Sequence, residues 1–326
     1  MHKVAVLIAA YNAEKYLAAC MDSLLSQTMT DFEAICVDDG STDTTCQILQ
    51  QYAGKDDRVR VVRLEENGGQ AAARNVALEM SDSEYVCMLD SDDWLSDDAL
   101  EQACEVLDTE PETDCVLFQV VEVYDDHQRT YPLPDFYSLS GPEAFEKSLT
   151  WQIHGLYMVR SELHKRFPYD TTTRAYSDDN TTRLHYLYSG QVRQCSGTYF
   201  YRQHTQSVTH GVSVRRFDYL RANESMKRQM EEMHTPARIM KLYERVRWLN
   251  LIDTYMFYFQ HRKQLAPEEA AYGLNEIRRV WKNVDTRELP WKLKAKPGYM
   301  PLKPFFSLFR AQEETYFFLR RLVKEK

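Results

Sequence analysis

Aspartates follow two apolar runs in the first hundred residues. The run "FEAICV" leads into Asp39, and the run "YVCML" leads into Asp90 and Asp92. Two carboxylates two residues apart on an extended loop can share a hard divalent cation such as Mg²⁺ or Mn²⁺, which takes oxygen ligands and completes its shell with phosphate and water. Such an ion also relieves the repulsion between the carboxylates. The pattern therefore predicts a site for a metal-bound diphosphate.

Other polar residues nearby have a simpler explanation as helix starts. Ser, Thr and Asp at the beginning of a helix accept hydrogen bonds from its free backbone N–H groups. We interpret Ser41 and Asp43 as the start of one helix, and Ser96, Asp97 and Asp98 as the start of another. This interpretation does not cover the three aspartates named first, because they precede these positions.

A site of this kind needs strands that end at one edge of a sheet. Four apolar runs of strand length, each followed by a segment with helical spacing, are "VAVLIAA", "FEAICV", "RVRVVRL" and "YVCMLD". Strands that are apolar on both faces and alternate with helices predict a parallel sheet between layers of helices. Open sheets of this class bind ligands at the carboxyl ends of their strands, where the aspartates fall.

The rest of the chain is less regular. A further strand is predicted at residues 114–126 and a late strand at residues 197–204, with helices at residues 141–149 and 178–190. Beyond Phe217 the pattern is almost purely helical.

The last predicted helix is amphipathic and basic. Residues that recur on it at steps of four and three are Phe305, Phe309, Gln312, Tyr316, Leu319 and Val323. Phe306, Phe317 and Phe318 fall outside that stripe and are expected to be exposed, and residues 286–326 hold 10 Lys or Arg against 4 Asp or Glu. A basic amphipathic helix can lie on an anionic membrane surface. Packing on the preceding helices or on a second subunit is the alternative, and both stay open.

Composition excludes several classes of protein. Residues 1–100 hold 19 Asp or Glu against 7 Lys or Arg, so a nucleic acid partner is not expected. Neither G-x-G-x-x-G nor G-x-x-x-x-G-K-[ST] occurs, which argues against dinucleotide and NTP sites of those kinds. No apolar run approaches the roughly 18 residues of a membrane span, so the expected location is the cytoplasm. The 7 cysteines have no C-x-x-C spacing and are expected to be buried rather than disulfide-bonded or zinc-bound.

Three segments, "VLIAAYNAEKYLAACMDSLLSQTMTDFEAICVDDGSTDTT", "ENGGQAAARNVAL" and "YVCMLDSDDWL", resemble the nucleotide-binding half of the family 2 inverting glycosyltransferases. The resemblance is specific from Val4 to Leu100 and continues more weakly through "GLYMVRSELHKRFPYD", "YSDDNTTRLHYLYSG" and "TYFYRQHTQSVT". It implies an α/β chain with the GT-A fold, the Rossmann-like fold of nucleotide-diphospho-sugar transferases. That fold is a mixed, mostly parallel sheet flanked by helices, here followed by an α-helical C-terminal region.

The resemblance also implies a domain division and bacterial surface-polysaccharide chemistry. Residues 1–212 are expected to form the GT-A catalytic domain, with a nucleotide-binding half at residues 1–100 and an acceptor half at residues 101–212. Residues 213–326 are expected to form the helical region with the basic amphipathic tail.

Residues that match the family's nucleotide site are Ala9, Tyr11, Asp39, Arg74 and Asp90. Tyr11 matches the position against the base, and Ala9 stands beside it where the family commonly has Pro, Thr or Ser. Asp39 matches the residue that hydrogen-bonds the uracil edge. Arg74 matches an arginine near the base and the diphosphate, and Asp90 matches the first Asp of the D-x-D motif, near the ribose.

The resemblance assigns the metal and the donor sugar to neighbouring positions. Asp92 matches the D-x-D residue that ligates Mn²⁺ or Mg²⁺, and His204, in a flap over the diphosphate, is a second candidate ligand. Asp93 and Trp94 are candidates for contact with the donor sugar.

The general base is expected in "SDDNTTRL". Asp179 falls where the family has its catalytic Asp, and Asp178 stands where the family usually has Glu, so Asp178 is the alternative base. The base would take the proton of the acceptor hydroxyl, and the metal would stabilise the departing diphosphate.

The resulting hypothesis is a metal-dependent inverting glycosyltransferase, a hexosyl- or N-acetylhexosaminyl-transferase. It would move a sugar from a UDP-sugar to a glycan or lipid-linked acceptor in polysaccharide or glycolipid synthesis. Peripheral contact with the inner membrane face, or a dimer through the C-terminal helices, is left open. The alternatives are a non-catalytic sugar-nucleotide-binding scaffold and a nucleotidyltransferase, although the latter is expected to carry a Gly-rich, basic first loop that "AAYNAEKY" does not provide.

Overall fold

The computed structural model describes residues 2–173, 176, 178–203, 212–303 and 305–324, with side chains described to residue 322. The chain divides into two compact units: unit 1 comprises residues 1–171 and 178–207, and unit 2 comprises residues 172–177 and 208–326. Each unit has its own hydrophobic core. All seven cysteines are buried, as predicted, and they are free thiols in this structure.

The described part of unit 1 is built on one sheet of ten strands. Their bounds are β1 (Val4–Ala10), β2 (Phe32–Asp38), β3 (Val59–Arg63), β4 (Tyr85–Met88), β5 (Trp94–Leu95), β6 (Thr113–Val123), β7 (Gln128–Thr130), β8 (Leu139–Ser140), β9 (Tyr157–Arg160) and β10 (Gln191–Arg202). The strand order is β3-β2-β1-β4-β9-β6-β10-β5, with β7 paired to β6 and β8 to β10. The predicted mixed sheet is confirmed.

The four strands predicted in the first hundred residues are β1 to β4, and they pair in parallel. Every residue of β2 is buried, and six of the seven residues of β1 are. Strands buried on both faces need no polar residue at alternate positions, so they read as unbroken apolar runs. Because the strands are parallel, their carboxyl ends meet at one edge of the sheet.

Helices pack against this sheet: α1 (Leu17–Leu25), α2 (Thr45–Ala53), α3 (Gln70–Glu79), α4 (Ala99–Thr109), α5 (Gly141–Ser148), α6 (Ser161–Arg166) and α7 (Asp178–Tyr188). The predicted helix starts at Asp43 and Asp97 were two residues early. Asp43 lies just outside α2 and accepts a hydrogen bond from the backbone N–H of Thr45 (2.9 Å). Ser96 also lies outside its helix and donates to Asp98 (2.8 Å).

The strand β9 was not predicted. It lies between β4 and β6 and runs antiparallel to both. Its four residues are too few to show a period, and its partners are distant in sequence, so the pattern carries little signal. It joins the parallel strands β1 to β4 to the rest of the sheet.

Unit 2 is helical in its described residues. Its elements are a short 3₁₀ helix (Val214–Phe217), α8 (Asp218–Glu232), α9 (Ala237–His261), α10 (Pro267–Asn283), α11 (Trp291–Lys294) and α12 (Phe306–Lys324). Aromatic rings form much of the core: the Phe309 ring lies 5.6 Å from Trp248, 5.9 Å from Tyr255 and 5.7 Å from Trp281. The predicted change from mixed to helical structure near Phe217 is therefore observed.

The orientation of α12 differs from the prediction. Phe309 and Phe317 are buried, whereas Phe305 and Leu319 are exposed. The prediction that Phe317 is exposed was wrong, because this helix has apolar residues on two faces and the one that contains Phe309 and Phe317 packs inward. None of the helices in the described ranges is long and apolar enough to cross a membrane.

Candidate active site

The loops after β1, β2 and β4 carry the predicted nucleotide site. Asp39 directly follows β2, and its backbone N–H donates to the carbonyl of Ala10 at the end of β1 (2.9 Å). Ala9 is partly buried within β1, and Tyr11, just beyond that strand, is half exposed. The parallel pairing thus places Ala9, Tyr11, Asp39 and Asp90 at one edge of the sheet, as predicted.

Asp39 holds the Gly-Gly turn that precedes α3. One carboxylate oxygen accepts from the backbone N–H of Gly68 and the other from that of Gly69, both at 2.8 Å. Gly69 has φ 92°, a left-handed conformation that favours glycine. Each carboxylate oxygen can accept a second hydrogen bond. Contact between Asp39 and a base stays a prediction, and the structure gives this residue a role in shaping the loop.

Arg74, on α3, is almost completely buried. One of its Nη atoms donates to Asp90 at 2.5 Å, and Gln70 donates to the same Asp90 oxygen at 2.8 Å. Its guanidinium lies over the ring of Tyr169, 5.3 Å from the centroid, and its other Nη atom is 4.0 Å from an Asp178 oxygen. Within the described residues, Nε and that second Nη have no hydrogen-bond partner. Two donor groups of this buried cation are therefore without a hydrogen-bond partner among the described residues.

The electrostatics of this pair follow from burial. Burial alone would lower the pKa of Arg74, but Asp90, Tyr169 and Asp178 together outweigh it and raise the pKa. Burial raises the pKa of Asp90, Arg74 lowers it in part, and Asp92 raises it further. The carboxylates in this loop thus carry more negative charge than Arg74 compensates.

Asp93 and Trp94 make internal contacts. Asp93 is buried, and its two oxygens accept from the Tyr199 hydroxyl (2.9 Å) and the Arg202 backbone N–H (2.7 Å). Burial, with the charges of Asp90 and Asp92, raises the pKa of Asp93 to about 9. The Trp94 ring stacks on Phe200 at 5.2 Å, with the Arg202 guanidinium 4.6 Å from its centroid. Contact of either residue with a donor sugar stays a prediction.

The two base candidates lie in the first turn of α7. Asp178 is the more exposed, and Asp179 has an oxygen 3.5 Å from a guanidinium nitrogen of Arg183. Burial raises the pKa of Asp179 to about 6, although Arg183 acts in the opposite direction; Asp178 adds to the rise. A carboxylate with this pKa is ionised at neutral pH and still accepts a proton readily.

One cavity of about 220 Å³ connects these groups. Arg74, Asp90, Asp178 and Asp179 line it together with apolar side chains and several aromatic rings. Arg74, the D-x-D residue Asp90 and both base candidates therefore line the same cavity, although Arg74 is about 100 residues distant from α7 in the chain.

Of the two candidate metal ligands, the structure describes only Asp92. Asp92 is partly buried, and its backbone carbonyl accepts from the side chain of Arg202 (2.9 Å). His204 lies outside the described residues. Within the described ranges, no three His, Cys, Asp or Glu residues form a group that could hold a metal ion.

Sequence reasoning missed several residues of this site. Gln70 and Tyr199 contact the D-x-D loop, Tyr169 lies against Arg74, and His154 and His164 line the cavity. Each acts through a contact with a residue far away in the chain. Only the Gln70 position, in the first turn of a predicted helix beside a Gly-Gly turn, carried a local signal.

A carboxylate-rich loop and a buried arginine lie at the carboxyl edge of an open α/β sheet, the edge at which proteins of this class bind their ligands. Residues 5–176 match the family described as Glycosyl transferase family 2. The chain belongs to this family, which confirms the resemblance seen in the sequence.

Individual relatives match parts of the chain. It is 30% identical over 219 residues to the uncharacterized glycosyltransferase EpsJ of Bacillus subtilis (strain 168), a match that covers 63% of this chain and 62% of EpsJ. It is 44% identical over 101 residues to a poly(ribitol-phosphate) beta-glucosyltransferase of Bacillus spizizenii, covering 30% of this chain and 16% of that protein. The chain thus spans less than two thirds of the length of these relatives.

Among solved structures, the chain is similar to S. aureus TarS 1-349, crystallised in complex with UDP-GlcNAc. The TM-score is 0.75 at 21% sequence identity, and the alignment covers 96% of this chain and 91% of that chain. This similarity shows that the two chains share a fold, and it confirms the predicted fold class.

Proposed function

We propose that this protein is an inverting glycosyltransferase that transfers a sugar from a UDP-sugar to a glycan or lipid-linked acceptor, with Mn²⁺ or Mg²⁺. The observation that carries the proposal is the shared cavity, in which Arg74 offers unpartnered donors close to Asp90 while Asp179 has a raised pKa. The UDP-GlcNAc bound to TarS supports a UDP-sugar donor. The poly(ribitol-phosphate) beta-glucosyltransferase among the relatives supports a surface-polymer acceptor.

In the proposed reaction, the acceptor hydroxyl oxygen attacks the anomeric carbon while the bond from that carbon to the diphosphate oxygen breaks. Asp179 takes the hydroxyl proton, and the electron pair of the breaking bond leaves with UDP. The guanidinium of Arg74 donates hydrogen bonds to the diphosphate, since two of its donor groups are free for a ligand. Attack from the face opposite the leaving group inverts the anomeric centre.

The residues of the D-x-D loop fit a divalent cation. Asp92 offers hard oxygen ligands, and Asp90 and Asp93 stand beside it in the same loop, so a cation would offset the repulsion between their carboxylates. The described residues form no complete ligand set, so the donor diphosphate and water are proposed to complete it. When bound, the ion supplies Lewis-acid stabilisation of the departing diphosphate.

A transfer assay with substitutions tests the base. Asp179→Asn should lower kcat by about 10²- to 10⁴-fold, the range for loss of a positioned general base. Asp178→Asn should have a smaller effect, and Asp97→Asn, which changes an exposed acid two residues before α4, serves as the control. If Asp179→Asn and Asp178→Asn both leave transfer intact, the base assignment is wrong. Binding of UDP-sugars without any transfer or hydrolysis would favour the scaffold alternative.

The exposed face of α12 provides a surface for the proposed acceptor. Leu308, Leu319 and Leu322 are exposed along this helix, together with Phe305 and Phe318. Basic residues continue along the segment to the chain end, where residues 286–326 hold 10 Lys or Arg against 4 Asp or Glu. We propose that this face binds an anionic membrane surface on which a lipid-linked acceptor is held.

Vesicle flotation tests the membrane proposal. The protein should float with vesicles that contain phosphatidylglycerol and not with pure phosphatidylcholine vesicles, and Leu308→Gln with Leu319→Gln should abolish flotation. Both leucines are exposed, so the double variant should keep its melting temperature. A dimer that the double variant dissociates, without any flotation of the wild type, would identify the face as a subunit interface instead.

A further inference from the structure

Two buried histidines line the cavity that also contains Arg74, Asp90 and Asp179. His154 precedes β9 and His164 lies on α6, and neither belongs to the D-x-D loop or to α7. Apolar side chains of the sheet, including Met88 and Val159, line the same space. The cavity therefore combines charged groups with neutral and apolar groups.

His164 lacks hydrogen-bond partners. Its side chain is 2% exposed, and neither ring nitrogen has a partner in the part of the chain that the structure describes. Its ring instead meets the rings of Tyr169 and His185 edge-on, at 4.8 Å and 4.6 Å. Burial, together with His185 and Arg74, holds the pKa of His164 well below its usual value. The imidazole is therefore neutral at pH 7, with one N–H donor and one nitrogen acceptor.

The neighbouring histidines differ from His164. One nitrogen of His185 hydrogen-bonds the Tyr157 hydroxyl (2.6 Å) and the other hydrogen-bonds the Phe167 carbonyl (2.9 Å). This ring therefore links α7 to β9 and to the end of α6. His154 accepts a hydrogen bond from the Leu156 backbone N–H (3.2 Å), and burial lowers its pKa to about 4. A buried polar group without partners costs about 1–3 kcal/mol. His164 bears that cost, and a ligand that hydrogen-bonds its ring would remove it.

We propose that His164 is a specificity-determining residue that hydrogen-bonds an uncharged polar group, a hydroxyl or an acetamido group, of the sugar carried by the UDP donor. The inference rests on the proposed function, because it places the donor sugar beyond the Arg74 and Asp90 end of the site. Arg74 is the one Lys or Arg among the described lining residues, and it is already paired with Asp90. Glu122, Asp178 and Asp179 add negative charge to the lining, and the remaining groups are neutral or apolar, so a carboxylate on the sugar would find no free positive partner. Burying an unpaired carboxylate there is unfavourable. The site should therefore select hexoses or acetamidohexoses over uronic acids.

Calorimetric titration with Mn²⁺ present tests the inference. The probes are UDP, UDP-glucose, UDP-galactose, UDP-N-acetylglucosamine and UDP-glucuronate. For the wild type, at least one of the three uncharged sugar nucleotides should bind about 10-fold or more tighter than UDP-glucuronate. His164→Leu should weaken that best ligand by about 10-fold and leave the Kd of UDP unchanged. His164→Gln, which keeps a donor and an acceptor, should restore part of the loss.

Thermal unfolding separates this role from a structural one. His164→Leu should keep or raise the melting temperature, because it removes a buried group without partners. The matched variant His185→Leu should lower it, because it leaves Tyr157 and Phe167 unpaired. Two results would overturn this inference and leave the proposed function standing. One is that His164→Leu binds UDP and keeps the wild-type sugar preference, and the other is that UDP-glucuronate binds as tightly as the uncharged donors. Failure of the wild type to bind UDP would overturn the proposed function and the inference with it.

Discussion

At the scale of single residues, Arg74 is both a proposed ligand group and a structural one. It is almost completely buried, and its pair with Asp90 is partly exposed on the carboxylate side. Removing one partner of a buried ion pair costs about 3–5 kcal/mol, and the exposure of Asp90 reduces that figure. We expect Arg74→Gln to lower the free energy of unfolding by about 2–3 kcal/mol in urea denaturation without metal.

The control for Arg74→Gln is an exposed ion pair of the same unit. Lys165 lies 3.8 Å from an Asp82 oxygen, and both side chains are largely exposed. Lys165→Gln should change the free energy of unfolding by less than about 0.5 kcal/mol. A similarly small effect of Arg74→Gln would contradict the prediction, because it would show that the ion pair between Arg74 and Asp90 contributes little to the free energy of unfolding.

Asp179 leads to a prediction about pH. Its pKa is about 6 in the folded protein, so its basic form is lost as the pH falls through 6. We expect kcat/KM for sugar transfer to rise with pH up to this value and to fall about 10-fold for each pH unit below it. The residual activity of Asp179→Asn should lack this limb. An acidic limb that persists in Asp179→Asn and disappears in Asp178→Asn would assign the base to Asp178.

The same raised pKa affects stability with a defined sign. The carboxyl group of Asp179 binds a proton more tightly in the folded than in the unfolded chain, where its pKa is about 3.9. Its ionisation therefore reduces stability as the pH rises from about 4 to about 6. At neutral pH Asp179 therefore does not stabilise the fold through its charge, which agrees with a catalytic role.

The identities of site residues were easier to predict than their contacts. Asp39 and the Gly-Gly turn are both visible in the sequence, but the bonds between Asp39 and the N–H groups of Gly68 and Gly69 cross 29 and 30 residues. The same holds for Tyr199, whose hydroxyl donates to Asp93 from 106 residues away. A single sequence does not show which distant residues come into contact. The motif residues could therefore be predicted, and the residues that hydrogen-bond to them could not.

At the scale of elements, α12 contains an ionisable group where the core is apolar. Glu313 is completely buried; one oxygen accepts from Gln312 (2.9 Å), and the other has no partner in the described residues. Burial raises its pKa to about 8, whereas in the unfolded chain it is about 4.3. The folded state therefore keeps a proton that the unfolded state has lost, and stability falls as the pH rises between these values.

We expect Glu313→Gln to stabilise the protein increasingly as the pH rises. At about 1.36 kcal/mol for each unit of pKa shift, its advantage over the wild type should grow by about 3.5 kcal/mol from pH 5 to pH 8 in urea denaturation. The adjacent Glu314 is the control, because Arg262 and Arg310 overcome burial and lower its pKa. Glu314→Gln should be destabilising at both pH values. A Glu313→Gln effect that is independent of pH would contradict the buried, protonated state.

Elements with one clear apolar pattern were predicted, a strand with none was missed, and a helix with two was predicted in the wrong orientation. The strands β1, β2 and β4 are buried on both faces and appear as continuous runs. The strand β9 has four residues and takes its place from β4 and β6. Apolar residues on both faces of α12 left its orientation undecided, because the choice depends on rings such as Trp248 and Trp281 that contact Phe309.

At the scale of the whole molecule, the proposed binding site and the C-terminal helices belong to different units. The described residues of the proposed site all lie in unit 1, and the buried aromatic cluster around Phe309 lies in unit 2. A unit with its own hydrophobic core can in principle unfold by itself. A ligand stabilises only the folded form that contains its site, by about 2.7 kcal/mol at 100 times its Kd.

We therefore expect UDP with Mn²⁺ to protect unit 1 and leave unit 2 unchanged. In hydrogen–deuterium exchange, peptides from residues 64–80 and 85–100 should exchange more slowly with the ligand, and peptides from residues 218–283 should not. Calorimetry should show two transitions, of which only the one assigned to unit 1 moves to higher temperature. The matched control is the Asp92→Asn variant with the same UDP and Mn²⁺, for which the transition temperature of unit 1 should rise less. A single transition in which all peptides gain protection together would show that the two units unfold cooperatively.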